Sequence, residues 1–146
     1  MTVRKATLED KLDIAFLVKQ FNKECKYPFK VNTDKVFNSL DQIINHPDFI
    51  VLVAEEDGDV GGMFIGGVTA PLFSEDIVST ELAWYMQPEY RKGRSGMEML
   101  KQYEEWSKSK GCKFVTMIDI DPYNNLESLY TRKGYKVTEK TYVKEI

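Results

Sequence analysis

One segment of the chain, residues 78–111, constrains the possible fold more than any other. It begins with a strand-like run, Val78–Met86, and passes through a short basic loop into an amphipathic helix over about residues 95–110. Gly111 follows at the position after a helix where glycine is favoured. The next apolar run, residues 114–120, is typical of a buried strand. A strand, a helix and a strand in this order predict a right-handed crossover between two parallel strands.

The rest of the chain predicts further strands and helices around this crossover. The predicted strands are residues 3–6, 49–55 and 61–70, with a hairpin turn at Asp57-Gly58-Asp59, and the predicted helices are residues 7–22, 33–46 and 126–133. Leu8, Leu12 and Phe16 are among the residues expected on the buried side of the first helix. Residues 135–146 read as a final strand pair or one long strand. The expected fold class is α/β, with a mixed, mostly antiparallel sheet of about six to seven strands and helices on both faces.

Composition excludes several classes of function. The 146 residues are 42% hydrophobic and carry a net charge of -3, so we expect one globular domain over residues 1–146 and no general binding to nucleic acid. No run reaches transmembrane length, and a cytoplasmic location without membrane contact is the default expectation. Cys25 and Cys112 have neither disulfide-framework nor zinc-site spacing, and His46 is the single histidine, so we expect no metal and no histidine-activated nucleophile.

The basic loop before the long helix is a candidate site for a phosphorylated cofactor. A helix N-terminus presents backbone N–H groups without intrahelical partners, and the helix dipole adds partial positive charge there. Arg91, Lys92 and Arg94 surround this point, and we expect the N–H groups of residues 93–96 to face a phosphate. A glycine at Gly96 would let the ligand approach closely. The alternative interpretation is an ordinary solvated loop.

Two motifs in this order resemble the GNAT superfamily of N-acetyltransferases. Met86-Gln87-Pro88-Glu89-Tyr90-Arg91 is similar to the start of the family's phosphate-loop motif, and Leu129-Tyr130-Thr131-Arg132-Lys133-Gly134-Tyr135 to its later helix motif. The order of the predicted elements also fits nearly the whole length. Two departures stand out: Arg94 occupies a usual glycine position, with Gly93 one residue early, and Tyr123 replaces the usual asparagine.

The resemblance implies acetyl-CoA as co-substrate and a set of residues that act on it. A backbone N–H from residues 83–86 would polarise the thioester carbonyl, Tyr130 would protonate the departing thiolate, and Glu81 would deprotonate the amine through a water or attract a cationic substrate. Tyr130 also reads as a core tyrosine, and Glu81 equally as a surface carboxylate; strand alternation places Glu81 opposite Trp84 and Met86. Asp119 and Asp121 are weaker candidates for substrate contact. The implied cofactor-binding residues are Trp84, Tyr85, Met86, Arg91, Lys92, Gly93, Arg94, Ser95, Gly96, Asn124 and Asn125.

The implied function is direct acetyl transfer, in a ternary complex, to a primary amine of a small molecule or a protein. Residues 23–32, 71–76 and 138–141 are the segments expected to face the acceptor. An acidic mouth that favours a cationic acceptor is conceivable, from Glu24, Glu75, Asp76 and Glu81. A catalytically silent acyl-CoA-binding module, a nucleotide or nucleic-acid binder that uses the same loop, and a homodimeric state stay open as alternatives.

Overall fold

The computed structural model describes residues 1–120 and 125–146. The chain divides into two compact units, Met1–Thr116 and Met117–Ile146. The first unit contains a five-stranded sheet in the order β1-β2-β3-β4-β5 and three α-helices, and the second contains one α-helix. None of these helices is long and apolar enough to cross a membrane. The bounds are β1 Thr2–Lys5, α1 Lys11–Cys25, α2 Thr33–Ile43, β2 Phe49–Glu56, β3 Asp59–Thr69, β4 Val78–Met86, α3 Ser95–Ser109, β5 Phe114–Thr116 and α4 Glu127–Arg132.

The sheet is mixed, as the sequence predicts. Strands β1 to β4 pair antiparallel with their neighbours, and β5 pairs parallel with β4 after the crossover through α3. The β2–β3 hairpin turns at Asp57 and Gly58, with φ angles of 53° and 88°. Positive φ at both central residues is the geometry whose twist matches that of the flanking strands. The predicted hairpin and the predicted parallel pair are both confirmed.

Helices cover both faces of this sheet. On one face Val53 and Met63 pack in a core with Ile14 and Leu17 of α1 and Leu40 of α2. On the other face the ring of Phe64 lies 4.6 Å from the ring of Tyr103 in α3, centroid to centroid. Because successive strand residues point to opposite faces, Met63 packs on the face covered by α1 and α2, and Phe64 packs on the face covered by α3.

The structure corrects the number and the length of the strands. In the part of the chain that the structure describes, the sheet has five strands, not six to seven, and β5 ends at Thr116 rather than at residue 120. Residues 135–146 contain no strand, although their alternating apolar residues produced the prediction. Val137 is 76% exposed and Tyr142 is 89% exposed. Alternation is evidence for a strand because it usually lets one face be buried, and these side chains are not buried.

The first helix also differs from its prediction. A 3₁₀ turn, Leu8–Asp10, precedes α1, and the α-helix continues to Cys25. Leu8, Leu12 and Phe16 were expected in the core, but they are 46%, 69% and 50% exposed. Leu17, which was also expected on the buried side, is fully buried, and so is Ile14; these two residues fix which side of the helix faces the sheet. The second helix is capped by Asn32, whose side chain accepts a hydrogen bond from the Lys35 N–H at 2.9 Å.

A buried carboxylate anchors the start of α1. Asp10 is 5% exposed and accepts hydrogen bonds from the Thr7 N–H at 2.7 Å and from two nitrogens of Arg4 at 2.8 and 2.9 Å. The hydrogen bond from Arg4 lowers the pKa of Asp10 below its ordinary value, although burial acts in the opposite direction. The carboxylate therefore stays ionised, and it ties β1 to the first turn of the helical segment.

Candidate functional site

The backbone at the end of β4 presents polar groups on the side away from β3. The Gln87 N–H donates to the Gly61 carbonyl at 2.9 Å, which makes these two residues a hydrogen-bonded antiparallel pair. Hydrogen-bonded and non-hydrogen-bonded pairs alternate, and the register continues without a shift through Met86 and Trp84. The N–H and C=O of Met86 and Trp84 therefore face away from β3. The Arg91 Nε donates to the Met86 carbonyl at 2.8 Å, which is consistent with a carbonyl that faces away from β3.

The two parallel strands are paired over three residues only. The last pair within the described residues is Thr80 with Thr116, whereas β4 continues to Met86. The outward N–H groups of Trp84 and Met86 lie beyond this last pair. A fixed N–H group of this kind can donate to the carbonyl oxygen of a bound ligand without reorganisation.

The N-terminus of α3 offers backbone donors. The Gly93 N–H donates to the Tyr90 carbonyl at 3.3 Å, and the Glu98 N–H donates to the Arg94 carbonyl at 3.0 Å. Between them, the N–H groups of residues 94–97 have no acceptor in the part of the chain that the structure describes. The sequence predicts a phosphate contact from the N–H groups of residues 93–96, and of these the Gly93 N–H already closes the preceding turn.

A shallow cavity lies beside these donors. Its volume is about 510 Å³, and Tyr90, Gly93, Arg94 and Ser95 contribute to its wall. Two carboxylate residues, Glu56 and Glu89, also contribute to this wall. Backbone N–H groups, a helix dipole and nearby cations form the donor set that binds a diphosphate in proteins.

The three basic residues of the loop do different things. Lys92 and Arg94 are exposed, and neither has an ion pair within residues 1–120 and 125–146. Arg91 forms a salt bridge with Glu24 of α1 at 2.6 Å, in addition to its bond with the Met86 carbonyl. The charge of Arg91 is therefore largely compensated within the protein, which leaves Lys92 and Arg94 as the cations for a ligand.

Glu24 connects α1 to the end of β4, a role that the sequence did not reveal. Its carboxylate accepts hydrogen bonds from the Tyr85 hydroxyl at 3.0 Å and from Arg91 at 2.7 Å. The Arg91 guanidinium also lies 5.5 Å from the centre of the Tyr85 ring. Burial, followed by the hydrogen bond with Glu24, raises the pKa of Tyr85 to about 12. Tyr85 therefore remains neutral at physiological pH and acts as a hydrogen-bond donor.

The fold itself does not require glycine at the two loop positions. A Cβ atom built at Gly96 would lie 3.5 Å from Cζ2 of Trp84 and 3.9 Å from Cγ of Met86, which are ordinary contact distances. One at Gly93 would lie 3.5 Å from the Tyr90 carbonyl. The indole Nε1 of Trp84, close to this packing, is buried and lacks a hydrogen-bond partner in the described residues. A buried donor without a partner is uncommon in native structures and calls for an explanation, such as a functional role.

A β-bulge in β4 changes the position of Glu81. The register with β3 shifts between Ile65 and Gly66, so that Leu82 is the additional residue and Glu81 pairs with Gly66. Regular alternation then places Glu81 on the same face as Ser79, whose Oγ lies 2.6 Å from Oγ of Ser107 in α3.

The expected orientation of Glu81 was therefore wrong. Trp84 is on this same face, since the Phe64 ring of that face lies 6.1 Å from its ring. Glu81 is also 4% exposed, so it is not a surface carboxylate.

The second unit contains the remaining candidates. Tyr130 is 8% exposed, and its hydroxyl donates to the Ile118 carbonyl at 2.9 Å. Asn125 is exposed, and Asp119 accepts a hydrogen bond from the Leu126 N–H at 3.3 Å, just before α4. Three positions discussed above, Asp121, Tyr123 and Asn124, lie outside the described residues.

Two of the four carboxylates considered for an acidic mouth, Glu24 and Asp76, have partners at opposite ends of β4. Glu24 bonds to Tyr85 and Arg91 at the end of β4, whereas Asp76, just before the start of β4, lies 3.5 Å from the ammonium of Lys113. Seven residues of strand separate Ile77 from Tyr85, a distance of roughly 25 Å at the usual rise. These two carboxylates are therefore both compensated and far apart.

The two cysteines and the histidine have environments that do not indicate a reactive or metal-binding role. Cys25 is buried at the end of α1, where burial raises the pKa of its thiol, and burial likewise raises the pKa of Cys112. His46 accepts a hydrogen bond on Nδ1 from the Asp48 N–H at 3.0 Å. Within the described ranges no three histidine, cysteine or acidic side chains are grouped as a metal would require.

Known proteins share this sequence profile and this fold. Residues 15–135 match the profile of the acetyltransferase (GNAT) family. No curated protein matches the chain in sequence. The fold is similar to a GNAT family acetyltransferase from Staphylococcus aureus, at 21% identity and a TM-score of 0.71, with 99% of this chain and 98% of that chain covered.

Two further structures are similar over nearly their whole lengths. One is AAC(6')-Iy in complex with the bisubstrate analog CoA-S-monomethyl-acetylneamine, at 16% identity and a TM-score of 0.78, with 99% and 97% of the two chains covered. The other is glucosamine-6-phosphate N-acetyltransferase from Arabidopsis thaliana, at 15% identity and a TM-score of 0.79, with the same coverage. At these identities the likeness establishes the fold, and the profile match establishes the family. This chain belongs to the GNAT family of acetyltransferases.

Proposed function

We propose that this chain is an acetyl-CoA-dependent N-acetyltransferase, which transfers the acetyl group directly to a primary amine. The observation that carries the proposal is the N-terminus of α3, where four N–H groups that find no acceptor among residues 1–120 and 125–146 lie beside Lys92 and Arg94. The donor set fits the diphosphate of coenzyme A. The family profile extends across both compact units, which supports one functional domain over residues 1–146.

Each end of the co-substrate has its own donors in this proposal. The N–H groups of residues 94–97 and the cations of Lys92 and Arg94 hold the diphosphate. The outward N–H of Trp84 or Met86 donates to the thioester carbonyl oxygen, where negative charge develops during the reaction. Removal of one such donor typically costs about 10²–10³ in rate.

Two side chains move protons in this proposal. Glu81 accepts a proton from the ammonium form of the acceptor amine. Because Glu81 is almost fully buried, this proton passes through a water. The neutral amine then attacks the carbonyl carbon, the C–S bond breaks, and the thiolate takes a proton from Tyr130. The second proton that leaves the nitrogen as the amide forms restores the Tyr130 phenol through solvent. The Tyr130 hydroxyl donates to the Ile118 carbonyl in the structure, so it must exchange this acceptor for the sulfur.

The acceptor is a primary amine of a small molecule or of a protein. Of the two similar structures described above, one is in complex with a bisubstrate analog that contains acetylneamine, and the other is a glucosamine-6-phosphate N-acetyltransferase. Fold does not determine the substrate. The structure brings no group of free carboxylates together from Glu24 and Asp76, so it does not indicate the charge of the acceptor. Activity assays on amines of different charge are needed to determine it.

One experiment tests the function. The protein is incubated with acetyl-CoA and a panel of amines that includes amino sugars, amino acids and peptide N-termini, while thiol release and melting temperature are recorded. Ligand at 100 times its dissociation constant should add about 2.7 kcal/mol of stability. Thiol release that depends on an amine supports the transferase. Stabilisation without thiol release on any amine favours the silent binding module, and no stabilisation at all contradicts the proposal.

The proton donor has its own test. Tyr130→Phe should lower kcat by about 10²-fold or more and change the Kd for acetyl-CoA by less than about threefold. Tyr142→Phe is the matched control, because Tyr142 is 89% exposed, and it should leave both quantities unchanged. Unchanged turnover in Tyr130→Phe would remove this residue from the mechanism.

A further inference from the structure

A buried group of hydroxyls lies at the last pair of the parallel strands. Ser79 and Ser107 are fully buried, with their Oγ atoms 2.6 Å apart. Thr116 Oγ1 donates to the Ser79 carbonyl at 3.1 Å, and the Tyr103 hydroxyl donates to the Thr116 carbonyl at 3.3 Å. We call these four residues the hydroxyl clamp. They link α3, β4 and β5 within one residue of the point where the pairing ends.

Tyr103 is held with little freedom. Its ring is fully buried, 4.6 Å from the ring of Phe64, and a Cβ atom at Gly66 would lie only 2.7 Å from its Cε2. The glycine therefore makes room for this ring beneath the sheet. Burial is also the main cause that raises the pKa of Tyr103 well above its ordinary value, so the hydroxyl keeps its proton and remains a donor.

The hydroxyl clamp lies at the point where the pairing between β4 and β5 ends. Parallel strands in register gain hydrogen bonds by pairing further, yet β4 and β5 stop at Thr80 and Thr116. The bulge at Leu82 turns the backbone of β4 after this point. This bulge changes the course of β4 only, so it does not determine where the end of β5 lies. The position of β5 is fixed at its last carbonyl, which accepts the Tyr103 hydroxyl from the helix side of the sheet.

We propose that Tyr103 is a positioning residue for acetyl transfer. Through the hydroxyl clamp it holds the end of β5 and thereby keeps the N–H groups of Trp84 and Met86 free for the thioester carbonyl. This inference rests on the proposed function for its catalytic consequence. Its structural part, that the clamp keeps the outward edge of β4 unpaired, stands independently.

Tyr103→Phe removes one oxygen and keeps the ring that fills the space at Gly66. We expect kcat to fall about five- to tenfold, the scale of one lost hydrogen bond, while the Kd for coenzyme A changes less than about twofold. We also expect the Trp84 and Met86 amides of the ligand-free protein to exchange their hydrogens several-fold more slowly, since the released strand end pairs further. Tyr142→Phe is the control for loss of an exposed hydroxyl, and it should change none of these quantities.

The outcomes separate the two proposals. If the wild-type protein neither binds nor uses acetyl-CoA, the proposed function fails. Amide exchange alone then tests whether the clamp keeps the outward edge of β4 unpaired. If exchange and the ratio of kcat to Kd are unchanged in Tyr103→Phe, the positioning role is refuted. If that variant fails to fold, Thr116→Val removes the other bond that the clamp makes with the end of β5, from Thr116 Oγ1 to the Ser79 carbonyl. The same exchange measurement then supports the inference if the Trp84 amide slows, and overturns it if the amide does not.

Discussion

Arg94 should destabilise the free protein and strengthen its binding of coenzyme A. It is the residue that precedes α3, where a positive charge opposes the partial positive charge of the helix dipole. Arg94→Gln removes the charge and keeps a long polar side chain. The expected gain in unfolding free energy is about 0.3–0.5 kcal/mol, because the site is exposed. For a chain of 146 residues this raises the melting temperature by about 1–2 °C.

The same substitution should weaken ligand binding. A unit charge about 4 Å from a phosphate oxygen contributes about 1 kcal/mol at the dielectric constant of water and about 4 kcal/mol at a value of 20. The exposure of Arg94 places it towards the lower limit, so we expect a loss of about 1–2 kcal/mol. The Kd for coenzyme A then rises about 5- to 30-fold, and the difference shrinks as salt is added.

Calorimetric titration at two salt concentrations, together with thermal unfolding, measures both effects. Lys108→Gln is the matched control, since Lys108 is exposed in the last turn of the same helix, about 20 Å along the axis. That control should lower the melting temperature slightly, because its charge favours the C-terminal end of the dipole, and should leave the Kd unchanged. Equal Kd values for the two variants would refute the assignment of the α3 N-terminus as the anion site.

Two further predictions concern stability. Arg4 lowers the pKa of Asp10 below 3.8, so the contribution of this carboxylate is present above that pH and is lost as pH falls through the folded pKa. Asp10→Asn should therefore cost about 1–3 kcal/mol in urea unfolding at pH 7, and a difference that does not diminish as the pH falls below 3.8 would contradict this. Gly66→Ala should cost about 1–3 kcal/mol because the methyl overlaps the Tyr103 ring, whereas Gly96→Ala meets only ordinary contacts. Equal melting temperatures for these two variants would show that the buried ring yields to the methyl without cost.

Local patterns predicted the parts of the fold that depend on neighbours in sequence. The alternation and the following turn gave β4 its bounds, Val78–Met86, without error, and the hairpin at Asp57 and Gly58 followed from turn chemistry. Gly111 and Gly134 end their helices at φ angles of 80° and 92°, which glycine adopts without strain. In each case the residues that cause the conformation lie within a few positions of it.

Long-range contacts decided the rest of the candidate site. Arg91 looks like a phosphate ligand in the sequence, but Glu24, 67 residues away, compensates its charge. The side of the sheet that Glu81 occupies depends on a bulge whose register is set against β3. Periodicity cannot show where a pairing shifts, because the shift is fixed by packing on the partner strand.

The sequence by itself determined the order of the elements that form up to α4, and the strand–loop–helix segment with its basic residues, but it also predicted a strand in residues 135–146 that does not form. The tertiary structure alone decided which of those residues keep free donors and charges: the N–H groups of residues 94–97 rather than 93–96, and Lys92 and Arg94 rather than Arg91. Residue type and spacing set what a group can do chemically. Whether it remains available depends on the partners that folding brings to it from distant parts of the chain.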